Sequence, residues 1–263
     1  MDEILEGRYA GILADVDPSF LNHEVAKERK LSTPFLVNGP RDADARRIMV
    51  IGREFGGRGW YVKNAGDNPR AYVSKALIQH QTFFDKCMAQ KESDKGVTFF
   101  NFMRALAKKV GSGGLIYSNL LCFDSVGKAP NKSKYFAQIK DLSKRLLDAQ
   151  LEHFKPDVII FANGMSTVGV RREFFPISGE RKVCVSRRHW QETGISKDQL
   201  WEFELLDKYL CYRIQHPATI RGRSDAEVAR RQLLEVLGET SPAVQLLLAA
   251  SAGAGGAAIA ARK

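Results

Sequence analysis

Ile48-Met49-Val50-Ile51-Gly52-Arg53-Glu54-Phe55-Gly56-Gly57-Arg58-Gly59-Trp60-Tyr61 is the stretch on which the reading of this chain turns. Its first four residues are uniformly apolar and a glycine follows at once, the pattern of a short strand buried on both faces of a parallel sheet. Three further runs share that character: Leu115-Ile116-Tyr117, Val158 to Ala162, and Leu210 to Ile214. Residues 69–90, 98–110, 134–153 and 224–237 carry apolar residues at helical spacing, and Ser224 with Glu227 has the form of a capping box. Strands alternating with helices predict an α/β protein with a doubly wound sheet. Residues 181–185 and 201–206 suit a hairpin or edge strands ahead of the last core strand.

Outward from that stretch, 263 residues with 44% hydrophobic content predict one domain with appendages. Residues 1–46 read as a polar, partly helical lead-in, 47–238 as the α/β domain, and 239–263 as a flexible tail rich in Ala and Gly. Ala243 to Ala261 holds Gln245 and three glycines, so no membrane association is expected of it. Met1 to Gly7 is acidic and lacks the basic start and apolar core of a secretory signal. Cys87, Cys122, Cys184 and Cys211 lie far apart, without the short paired spacings of zinc or iron–sulfur sites. The expectation is a cytoplasmic monomer with free thiols, no metal and no cofactor. Forty Lys and Arg against 30 Asp and Glu give a formal charge of +10, which favours a polyanionic partner such as nucleic acid.

Doubly wound sheets bind ligands outside the carboxyl ends of their strands. The segments there are Gly52 to Tyr61, Ser118-Asn119-Leu120, Asn163-Gly164, and His216 to Ile220. The first loop has no Gly-Lys-Ser/Thr ending, its glycine spacing misses the dinucleotide fingerprint, and Trp60 and Tyr61 stand where a helix should begin. It combines instead a carboxylate (Glu54), backbone freedom, cations (Arg53, Arg58) and aromatic faces (Phe55, Trp60, Tyr61), the parts needed to stack and read a flipped base. A parallel sheet would bring Glu54, Asn119 and His216 to one edge. For cleavage of a nucleobase–sugar bond the carboxylate steers water and stabilises a cationic sugar, the amide reads the base edge, and the imidazole donates to the departing base.

At Gly52-Arg53-Glu54, at Asn119 and at His216-Pro217, in that order, the chain resembles the uracil-DNA glycosylase superfamily, and within it a bacterial branch with a Gly-Gln-Glu loop followed by Trp. Lys155-Pro156-Asp157 leading into Val158 is similar to that family's third strand. The resemblance covers roughly Arg47 to Leu237 and implies a three-layer α/β/α sandwich around a mainly parallel four-stranded sheet. It implies Glu54 and His216 as catalytic residues, and Gly52, Arg53, Phe55, Trp60, Tyr61 and Asn119 as substrate-binding ones. Ile220 falls at the family's apolar wedge, and Arg221 and Arg223, flanking the His216 loop, suit contacts to the DNA backbone. The implied activity is hydrolysis of the N-glycosidic bond of uracil or another altered base in DNA. Arg53 stands in place of the usual Gln or Glu, Phe55 in place of Pro, and Gly56 where the strictest uracil enzymes carry Tyr. Those departures leave room for a module of the same fold that binds nucleic acid or a nucleotide without cleaving it, in defence or regulation.

Overall fold

Six strands form one sheet in the computed structural model, which describes residues 2–55, 59–66, 68–91, 99–125, 130–220 and 222–239. In chain order they are β1 (Ile48–Gly52), β2 (Leu115–Asn119), β3 (Val158–Phe161), β4 (Cys184–Arg188), β5 (Leu200–Leu205) and β6 (Tyr209–Ile214). Their spatial order is β2-β1-β3-β6-β5-β4. The first four in that order run parallel, with Gly52 opposite Asn119 and Ile51 opposite Phe161, while β5 and β4 are antiparallel additions beside β6. Every residue of β1, β2, β3 and β6 is buried, which is why these strands are apolar almost throughout and do not alternate.

The helices are α1 (Glu3–Ala14), α2 (His23–Glu28), α3 (Pro69–Ala89), α4 (Phe99–Val110), α5 (Phe136–Phe154), α6 (Val168–Phe174) and α7 (Arg223–Gly238). They flank the sheet, α1 packing on α3 and α5, and α4 on α7. The connections from β1 to β2 and from β2 to β3 cross the sheet in opposite directions. Right-handed crossovers then place them on opposite faces, which puts the topological switch point between the carboxyl ends of β1 and β3.

Three expectations need correction. The sheet has six strands rather than four, because β5 alternates Trp201-Glu202-Phe203-Glu204 and joins β6 through Leu206-Asp207-Lys208, the first two at positive φ (58° and 51°), a turn that matches the twist of a hairpin. The edge strand β4 lies three residues beyond the start expected for it and is largely exposed, with Arg187 and Arg188 and an irregular register at Ser186 discouraging further pairing. Ser224 does not cap α7: the helix starts at Arg223 behind Gly222 at φ 58°, which puts Ser224 inside the first turn.

The lead-in packs into the same core as the sheet. Leu5, Tyr9 and Leu13 of α1 are buried, and the Tyr9 hydroxyl donates to the Val37 carbonyl at 3.0 Å. Residues 31–37 are buried without exception and cross the carboxyl end of β2, where Phe35 N–H donates to Cys122 O and Ser32 N–H to Asp124 O. Among the described residues no helix is long and apolar enough to cross a membrane. The tail from 240 onward, including Ala243 to Ala261, lies outside the described residues.

Candidate functional site

Glycine at position 52 is a packing requirement. A Cβ there would lie 2.5 Å from Asn119 Oδ1 and 3.3 Å from the Phe99 ring, so the bare backbone lets the Asn119 amide lie across the end of β1. Asn119 is 6% exposed, and its Nδ2 donates to the Tyr117 hydroxyl at 3.2 Å. Tyr117 and Asn119 sit two apart on β2 and therefore share a face. Leu120 and Leu121 N–H donate to the carbonyls of Gly52 and Arg53, both at 2.9 Å, tying the loops after β1 and β2 together.

Glu54 follows directly. Its side chain is 12% exposed, and its Oε1 lies 3.3 Å from a terminal nitrogen of Arg53. Burial raises its carboxyl above the usual range; Arg53 pulls it back, and the carboxylate of Asp124 pushes it up further. Arg53 also donates to the Ser166 hydroxyl at 3.3 Å, so one guanidinium spans the loops after β1 and β3.

His216 begins the loop after β6. The Ala218 N–H donates to its Nδ1 at 3.2 Å, which leaves the proton of the neutral ring on Nε2 as a donor. Burial, Arg53 and Arg230 hold the ring well below its ordinary value, at about 4, so it is neutral at physiological pH. Gly164 at φ 65° allows this approach, since a Cβ there would meet His216 N at 3.0 Å. Below it, the buried Arg171 donates to Asn163 Oδ1 (2.9 Å) and Gly164 O (3.2 Å), fixing the loop after β3.

These groups share a cavity of about 470 Å³ whose wall includes Gly52, Glu54, Phe55, Asn119 and His216. A second hollow of about 490 Å³ adjoins it through Arg53 and His216 and continues over Gly164, Ser166 and Thr219. Phe55 reaches the first cavity, but Trp60 and Tyr61 do not line it. Trp60 is 2% exposed and packs against Phe35, Phe55 and Phe83 behind the wall, and Lys27 stands over the Tyr61 ring. Ile220 is 88% exposed at the far end of the His216 loop. Arg223 is exposed and paired with Glu227 at 2.8 Å, and Arg221 lies outside the described residues, as do Gly56, Gly57 and Arg58.

The chain matches no family model and no curated protein. Among the described residues no group of three His, Cys, Asp or Glu side chains is placed to hold a metal ion.

Sequence reasoning missed the aromatic wall of the cavity. Phe83 comes from α3, Phe99 and Phe100 from the first turn of α4, and Tyr117 from β2. Tyr117 was within reach through its two-residue spacing from Asn119. The phenylalanines sit at helical positions whose pattern is the same whether the ring faces a core or a cavity. Asp124 was missed too: it is 2% exposed, its Oδ1 accepts from Ser125 N–H at 2.9 Å, and its Oδ2 accepts from Gly59 N–H at 3.4 Å.

Proposed function

We propose that this protein is a glycosylase-like enzyme that hydrolyses the N-glycosidic bond of uracil or another altered base in DNA. The observation that carries the reading is that Glu54, Asn119 and His216, from the carboxyl ends of β1, β2 and β6, face one aromatic-walled cavity. A flat base fits among Phe55, Phe99 and Tyr117, with its edge toward the Asn119 amide. The Nε2–H of neutral His216 then stabilises negative charge developing on the departing base, and Glu54 orients water and offsets charge on the sugar. A uracil-DNA glycosylase-like sandwich, a DNA partner, a monomeric state and a cytoplasmic setting belong to the same reading. Four free cysteines support that setting.

The test is release of the base from oligonucleotides bearing uracil, hypoxanthine or a mismatch, with alkali revealing abasic sites. Wild type is expected to cleave at least one of them, and Glu54→Ala to lose about 10² to 10⁴ of the rate while DNA binding persists. No release from any substrate under conditions where a known glycosylase works sinks the proposal.

One observation favours a second reading, recognition without cleavage. The 3.3 Å ion pair occupies Glu54 with Arg53, a cation where this chemistry calls for a free carboxylate. In that case binding survives Glu54→Ala and neither protein releases a base.

A further inference from the structure

The cavity continues past Asn119, away from the adjoining hollow, to an end formed by α3 and α4. Lys86 on the last turn of α3, Gln90 just beyond its end, and Arg104 of α4 line it there. Arg104 is only 9% exposed, yet among the described residues its guanidinium donates to uncharged oxygens, Cys87 O at 2.5 Å and Asn101 Oδ1. Its Nε is buried with no hydrogen-bond partner. Among the described residues neither Arg104 nor Lys86 has a carboxylate within ion-pair distance, whereas Arg53, at the opposite end, is paired with Glu54.

Structural duties account for part of this. Arg104 caps the carbonyl of Cys87 near the end of α3, and a cation such as Lys86 suits the last turn of a helix. They do not account for a buried guanidinium with an unpartnered Nε that, among the described residues, has no counter-charge and stands beside a second cation, because a buried charge without a counter-charge is costly. The same end borders Phe99 and Phe100, the first two residues of the 12-residue α4, whose N-terminal dipole adds to the positive potential. Among the described residues the one carboxylate lining the cavity is that of Glu54, which is paired with Arg53.

We propose that the Lys86–Arg104 end of the cavity binds an anionic group of the ligand, either a carboxylate carried by the ring or a phosphate ester, while the ring itself lies among Phe83, Phe99, Phe100 and Tyr117. This deepens the base-binding reading and rests on it for the ring, although its measurement is of binding alone and reads no cleavage. A guanidinium and a flexible ammonium complement a carboxylate or a phosphate equally well, and the two are separated by probe.

Two pairs of probes are titrated into the full chain at low salt: uracil-5-carboxylate against uracil, and uridine 5′-monophosphate against uridine. In at least one pair the anionic member is expected to bind about tenfold tighter, the scale of one charge-assisted hydrogen bond. That preference is expected to fall to near parity in Lys86→Gln, a change on the surface of α3 whose fold is checked by circular dichroism. Arg104→Gln should behave likewise where it folds, and Lys86→Gln decides where it does not. A preference confined to the first pair assigns the anion to the ring, and one confined to the second assigns it to a phosphate ester. Equal affinity within both pairs, absence of binding by all four probes, or a preference that Lys86→Gln leaves intact overturns the proposal. The last outcome would put the anion beside Arg53 instead. Failure to release a base from DNA would leave these results untouched, so the two readings fail separately.

Discussion

Glu54 is held where a carboxylate gains least from solvent, and burial outweighs the attraction of Arg53 enough to raise its carboxyl. A group whose folded-state value is raised costs stability once it ionises. At neutral pH, Glu54→Gln is therefore expected to raise the unfolding free energy by about 1 kcal/mol, the usual gain on relieving an unfavourable functional group. Urea denaturation measures it, and a loss of stability would show that the ion pair outweighs the burial. Glu54, Asn119 and His216 were legible from sequence because each follows an apolar strand directly. Trp60 was legible as a large aromatic, but the choice between core and cavity was not, since it depends on Phe35, which arrives from the lead-in.

Among the elements, the segment 31–35 does most to shape the site from outside the sheet. The Thr33 hydroxyl donates to Trp60 O and accepts from Val62 N–H, both at 3.0 Å, and Thr33 N–H also donates to Trp60 O at 2.7 Å. Thr33→Val is isosteric but strands the buried Val62 N–H, so a cost of about 1–3 kcal/mol is expected, with faster amide exchange at Val62. Unchanged exchange there would mean that the loop is held by other contacts. The parallel strands were legible because burial on both faces demands unbroken apolar runs. The β5–β6 turn was not, because Leu206-Asp207 carries no glycine to announce positive φ. Nor did the polar look of residues 1–46 betray the apolar stripe of α1, whose Leu5, Tyr9 and Leu13 are spaced by four.

For the molecule as a whole, acid is the revealing variable. His80 donates from Nε2 to Tyr117 O at 3.0 Å and accepts Asn38 N–H at Nδ1 (3.2 Å), and burial holds it at about 4, as it holds His216. Both values are depressed relative to the unfolded chain, so the unfolded state takes up protons first. Stability is then complete above pH ~6.5 and is lost as pH falls toward ~4, at up to about 1.4 kcal/mol per unit for His80 and less for the partly exposed His216. Glu54 offsets some of this, because its folded state takes up a proton early. Urea midpoints at pH 7, 6 and 5 should decline in order, and a rise across that range would contradict the neutral assignment of both rings. The clamp on the loop also has a bearing on how the chain comes together during synthesis. Thr33 emerges before its partner Trp60, Asn119 follows much later, and His216 comes only after the final strand has formed. The pocket is thus closed by the contacts most distant in sequence, so a nascent chain can hold much of its parallel sheet before it holds a site.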